Sequence, residues 1–189
     1  ARLWEGIDDD YAKECLDNAE KCYAAVKKYW KEYSEASDKD NPTSLYAPLD
    51  QAIGGGAYGD TEVKDDLYWA ACELYATTGD SKYYDDLSNY KDSFKVVTYL
   101  EGGENKGSFS SFNWGCTGSL GSLSLYLSDK VSDADKAKIA DSITEAADTY
   151  IAQEEKEGFG IPYEATTFTD DINIGPGIKI TGYEWGSNS

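Results

Sequence analysis

Between Asp10 and Tyr33 the apolar residues return at three- and four-residue steps: Ala12, Cys15, Leu16, Ala19, Cys22, Tyr23, Val26 and Trp30, with Lys and Glu in the positions between. At 3.6 residues per turn these positions fall on one continuous stripe, so the stretch is predicted to be a long amphipathic helix with one face to bury. A stripe of that length needs apolar partners along it, which commits the chain to packing helix on helix.

Four more helices follow from the same reading. Asp60 or Thr61 is a competent cap for a second one, which turns Val63, Leu67, Ala70, Ala71, Leu74 and Tyr75 inward and stops at Gly79. Asp80 caps a short third helix through Leu87, and Trp114 to Leu127 reads as a small-residue helix whose Gly118 and Gly121 allow close approach. Ser132 with Asp135 opens a fifth, with Ile139, Ile143, Ala147, Tyr150 and Ile151 inward and Gly158 as its stop. Between the first two helices lies SEASDKDNPTSLYAPLDQAIGGGAYGD, whose prolines and triple glycine demand a long irregular connection. Strand is hinted at only around Tyr163 to Phe168 and Ile172 to Ile180. The expectation is an all-α fold of antiparallel helical hairpins with long loops, in a single segment over residues 1–189.

Composition narrows the partners. The 36 acidic residues against 17 basic give a net charge of -19, and the densest basic group, Lys27, Lys28 and Lys31, sits on a helix laced with acids. Binding to a phosphate backbone requires Lys and Arg clusters that release counterions, so nucleic acid is excluded as a partner, whereas neutral polymers such as polysaccharides are compatible. No apolar run approaches the roughly 20 residues that span a bilayer, so no membrane partner is expected. Zero histidine leaves acid–base work to carboxylates. Zero methionine, no signal peptide and a chain that opens on ARLWEGID and closes on WGSNS are expected of a mature secreted product or an internal piece of a larger domain. Cys15, Cys22, Cys72 and Cys116 form no CxxC pair, so buried thiols are expected rather than zinc, with one or two disulfides left open.

Residues 54–84, GGGAYGDTEVKDDLYWAACELYATTGDSKYY, resemble the central signature of glycoside hydrolase family 9, in which GGG-x-Y-x-D leads into D-(D/E)-x-x-W-A-A-x-E-L-(Y/F)-x-x-T-G-D. The terminal GYEWGSNS is similar to a second family segment, and ARLWEGIDDDYAKECLDNAEKCYAA resembles the family helix ahead of the glycine loop. The resemblance implies part of an (α/α)6 barrel with an open cleft across one end. It also implies an extracellular cellulase, free or attached to a cellulosome, that hydrolyses β-1,4-glucosidic bonds of cellulose or β-glucan oligosaccharides with inversion. The family base lies in a D-A-G-D motif and its acid is a Glu near the domain end. Neither motif occurs here, so no catalytic residue is assigned, and the remaining parts of the same catalytic domain are an expected partner. The nearest string, Asp133-Ala134-Asp135, sits at a helix start, where capping accounts for it. A non-catalytic carbohydrate-binding or complementing fragment is the alternative of another class.

The resemblance puts Tyr58 on the cleft floor, where an aromatic face stacks on a glucose ring. Trp185 and Trp114 are the other candidate sugar contacts, each weighed against ordinary packing in the core, which is the better account of Trp69 and Tyr75. Several family members hold calcium through a Ser or Thr, a backbone carbonyl and an acidic pair, a set that Thr61, the carbonyl of Glu62, Asp65 and Asp66 match. A further acidic ligand sometimes follows the tryptophan of the next helix, where this chain has Gly115 and Cys116. Acids in a first helical turn also serve the helix dipole without any metal.

Overall fold

A computed structural model describes residues 1–30, 64–98, 111–112, 116–156, 158, 160, 162, 166–169 and 179–182. A 3₁₀ turn at Arg2–Trp4 leads into α1 (Asp9–Lys28); α2 (Lys64–Thr78), α3 (Ser81–Leu87), α4 (Gly118–Leu127) and α5 (Asp133–Glu154) follow. Strands β1 (Thr166–Thr169) and β2 (Lys179–Gly182) pair antiparallel with Thr166 opposite Gly182, and the rest of the hinted strand, 163–165 and 172–178, lies outside the described residues. The triple glycine and the start of the second helix lie outside the described residues.

The caps are those their residues favour. Asp8 accepts the Tyr11 amide at 3.0 Å, Asp80 the Lys82 amide at 3.0 Å and Ser132 the Asp135 amide at 3.2 Å. Gly79 closes α2 with φ at 71° and its N–H on the Tyr75 carbonyl at 2.7 Å. The last helix ends at Glu154, ahead of the expected stop at Gly158.

Side-chain pairings give the helix directions. Asp65 meets Thr117 and Ser124 meets Glu73, so α2 and α4 run side by side in parallel. Tyr75 packs on Tyr84 and Tyr68 stacks on Tyr90, which turns the chain back along α3. Tyr83 bonds Glu20 and Tyr23 bonds Asp86, so α1 and α3 share the opposite direction; Tyr84 bonds Asp135 and, further along both segments, Val96 meets Ser142, so α5 runs the same way. Consecutive elements are antiparallel, as expected, while neighbouring inner helices are parallel: an outer layer of α1, α3 and α5 over an inner pair, α2 and α4.

The core lies between the layers and contains Tyr23, Tyr68, Cys72, Leu87, Leu125 and Ile139. Small residues bring α2 and α4 together. A Cβ at Gly121 would lie 2.9 Å from Cys72 Sγ and 3.0 Å from Trp69 Cα, and buried Ser122 shares a 3.0 Å hydrogen bond with the Tyr68 hydroxyl. After α3 the chain crosses α4 and α5 on serine hydroxyls: the Val96 N–H donates to Ser142 and the Val97 N–H to Ser119.

Expectations on three helices need correction; on α2, Ala70, read as turned inward, is exposed. On α1, Ala12 and Tyr23 are buried and Leu16 partly so, but Ala19 and Cys22 are exposed and Cys15 only half-buried. Buried thiols therefore hold for Cys72 and Cys116 alone; no disulfide joins the four. The reason is that α1 touches the core along one edge of its stripe. On α5 likewise, Ile139 is buried while Ala147 and Ile151 are exposed.

At the far end of the inner pair, Glu73 receives Ser124, the Trp69 indole N–H and Arg2. Burial works to raise its pKa, yet the bonds from Ser124, Arg2 and Trp69 outweigh it and hold the carboxyl below the usual range. A depressed acid stabilises the fold above its ordinary pKa and loses that contribution as pH falls through the depressed value. Glu73→Gln should therefore melt below wild type at pH 7, with the gap closing towards pH 3 in thermal scans. Gly121→Ala should cost about 1–3 kcal/mol through overpacking against backbone, read as a lowered melting temperature at unchanged helicity.

Candidate cation and glycan site

Because α2 and α4 are parallel, their N-termini open at the same end of the molecule. Asp65 stands in the first turn of α2 and is 2% exposed, an unusual place for a carboxylate. Its Oδ2 accepts the Thr117 N–H at 2.8 Å and the Thr117 hydroxyl at 3.2 Å. The same hydroxyl lies 2.9 Å from Oδ1 of exposed Asp66. Thr117 is the N-cap of α4, yet its side chain makes no capping bond to that helix. Its hydroxyl is turned across to α2.

Among the described residues the remaining oxygen of Asp65, Oδ1, is buried and has no hydrogen-bond partner. Burial pushes the Asp65 carboxyl above its ordinary pKa, and the charge of Asp66 adds to this, against the lowering effect of the Thr117 bonds. A buried anionic oxygen with no donor is costly unless a positive charge compensates it. Two adjacent carboxylates with one such oxygen form a donor set suited to a hard cation. Among the described residues no group of three or more His, Cys, Asp or Glu side chains gathers, so this pair is the described part of the expected set.

Thr61, Glu62, Tyr58, Trp114 and Trp185 lie outside the described residues. The small-residue helix begins at Gly118, so Thr117, which the sequence places inside a helix from Trp114, is its N-cap. The remaining well-placed carboxylates are engaged structurally. Asp135 accepts from Tyr84, Ser132 and Lys138, which bears out capping at Asp133-Ala134-Asp135, while Asp86 holds Tyr23 and Lys27. Among the described residues no helix is long and apolar enough to cross a membrane.

Inner helices parallel to one another inside an antiparallel outer layer are the arrangement of an (α/α) toroid, and comparisons with known proteins agree. The family model of glycosyl hydrolase family 9 matches residues 1–189, and the chain belongs to that family. A cellulose 1,4-beta-cellobiosidase of Acetivibrio thermocellus is 34% identical over all of this chain and 20% of its own length. Endoglucanase C of Cellulomonas fimi is 31% identical over all of this chain and 14% of its own. A solved structure of a Bacteroides ovatus family 9 protein superposes with a TM-score of 0.59 at 27% identity, over 86% of this chain and 27% of that one. The helical body is thus consistent with a piece of an (α/α)6 barrel, and the chain spans about a fifth of the length of the first of these relatives.

Removing the Asp65 carboxylate would strand the Thr117 amide and leave its hydroxyl only Asp66. Asp65→Ala should cost about 1–3 kcal/mol for the unpaired amide, and Asp66→Ala, at an exposed position, clearly less; urea unfolding of both variants measures the contrast.

Proposed function

We propose that this chain is part of an extracellular cellulase, an inverting hydrolase of β-1,4-glucosidic bonds in cellulose and related β-glucans, and that it supplies cleft wall and sugar subsites. The family match over all 189 residues carries the reading. The relatives, a cellulose 1,4-beta-cellobiosidase and an endoglucanase, support a β-1,4-glucan as substrate.

In an inverting glycosidase one carboxylic acid protonates the departing oxygen while a carboxylate roughly 6.5 to 9.5 Å away activates water on the opposite face of the sugar. The D-A-G-D motif of the family base and the segment of its acid Glu do not occur in this sequence, so the reacting pair is assigned to other parts of the catalytic domain. Tyr58, Trp114 and Trp185 are the proposed stacking surfaces for glucose rings. Asp65, Asp66, Thr61 and the carbonyl of Glu62 are the proposed holders of a structural Ca2+, supported by the unpartnered oxygen of Asp65. Bound there, calcium would supply positive charge to the buried Asp65 and the exposed Asp66 and would take no part in bond cleavage.

The test is hydrolysis of amorphous cellulose, with the anomer first released read by proton NMR. The full-length protein should release the α-anomer, and the 189-residue chain alone should release no sugar. Hydrolysis by the isolated chain would place the acid and base within it; no hydrolysis by the full-length protein would favour a binding role.

A further inference from the structure

Calcium in such a site ordinarily draws on oxygen donors from every element around it. Here the α4 side offers Gly115 and Cys116 where a further acid is sometimes found, and Thr117 lies against the acidic pair instead. We propose that Thr117 is a positioning residue for the cation: it orients the Asp65 and Asp66 carboxylates from α4 without being a ligand itself. The inference rests on the calcium reading above and goes beyond it in naming what holds the ligands.

Three observations carry it. The Thr117 amide and hydroxyl both fall on the same oxygen of Asp65, Oδ2, which fixes the carboxylate from one side and leaves the buried Oδ1 for a different partner. The hydroxyl also reaches Oδ1 of Asp66, so a single group sets the relation between two neighbouring carboxylates. Lastly, Thr117 is an N-cap residue that makes no side-chain cap to its own helix, and a hydroxyl withdrawn from that role is committed to the carboxylates. Groups that hydrogen-bond metal ligands fix their orientation, and losing one typically lowers metal affinity about 10- to 100-fold. The clasp also ties the cation to helix packing, since any charge that steadies Asp65 steadies the link from α2 to α4.

The experiment is calorimetric titration of CaCl2 into chelator-treated full-length protein, for wild type, Thr117→Val and Thr117→Ser. The valine variant keeps the size and the backbone N–H but has no hydroxyl; the serine variant keeps the hydroxyl. The expected result is Ca2+ binding by wild type, an affinity near wild type for Thr117→Ser, and an affinity about 10- to 100-fold weaker for Thr117→Val at an unchanged far-UV CD spectrum. Equal Ca2+ affinity in wild type and Thr117→Val would overturn the positioning role while leaving the calcium site standing. Weak binding in both variants would also overturn it, since the hydroxyl would not be what matters. No Ca2+ binding by wild type would remove the calcium site, and this inference with it.

Discussion

The bond from the Thr117 amide to the buried carboxylate of Asp65 is the contact on which the described architecture turns. It joins the first turn of α2 to the first residue ahead of α4 at 2.8 Å, across 52 positions of sequence. Parallel neighbouring helices are not joined by a tight turn, and here side chains fasten their register together with the packing between them. Asp65 does this at one end and Glu73 at the other, through Ser124. Between them Gly121 and Ser122 let the backbones approach, so two polar clasps and a small-residue seam define one rigid inner pair.

That pair determines where function can sit. With α2 and α4 parallel, both positive dipole ends and the acidic pair Asp65–Asp66 emerge on one side. The opposite end is closed by Arg2, Trp69 and Ser124 around Glu73. The first end carries the acidic pair, and the second is a clasp that fastens the two helices. The outer helices add mass and tyrosine-to-carboxylate bonds, Tyr23 to Asp86, Tyr83 to Glu20 and Tyr84 to Asp135, each tying a helix to its neighbour with a group that keeps its apolar ring in the core.

Much of this was legible in the residues. The caps at Asp80 and Ser132 and the stop at Gly79 were readable because they are local, depending on a side chain and an amide two or three positions away. The acidic pair was visible as a match to the family's calcium set. The exposed edge of α1 was not, since periodicity tells which face is apolar but not how much of it a neighbour covers. Nor was Thr117, which the sequence places inside a helix: only the parallel approach of α2 turns its hydroxyl to Asp65 and Asp66. The serine bonds under Val96 and Val97 escaped for the same reason, being contacts between distant segments with no periodic signature.

Membership of glycosyl hydrolase family 9 and the geometry of the inner pair meet at this one junction, which makes its rigidity the central claim. Hydrogen exchange at the Thr117 amide tests it most directly, because that N–H is satisfied by a side chain rather than by a helical ladder. The account predicts protection comparable to the amides of Cys72 and Leu74 in the buried middle of α2. Exchange at the rate of an open loop amide would contradict it, and would mean that α2 and α4 are not fastened at the end where the site is proposed.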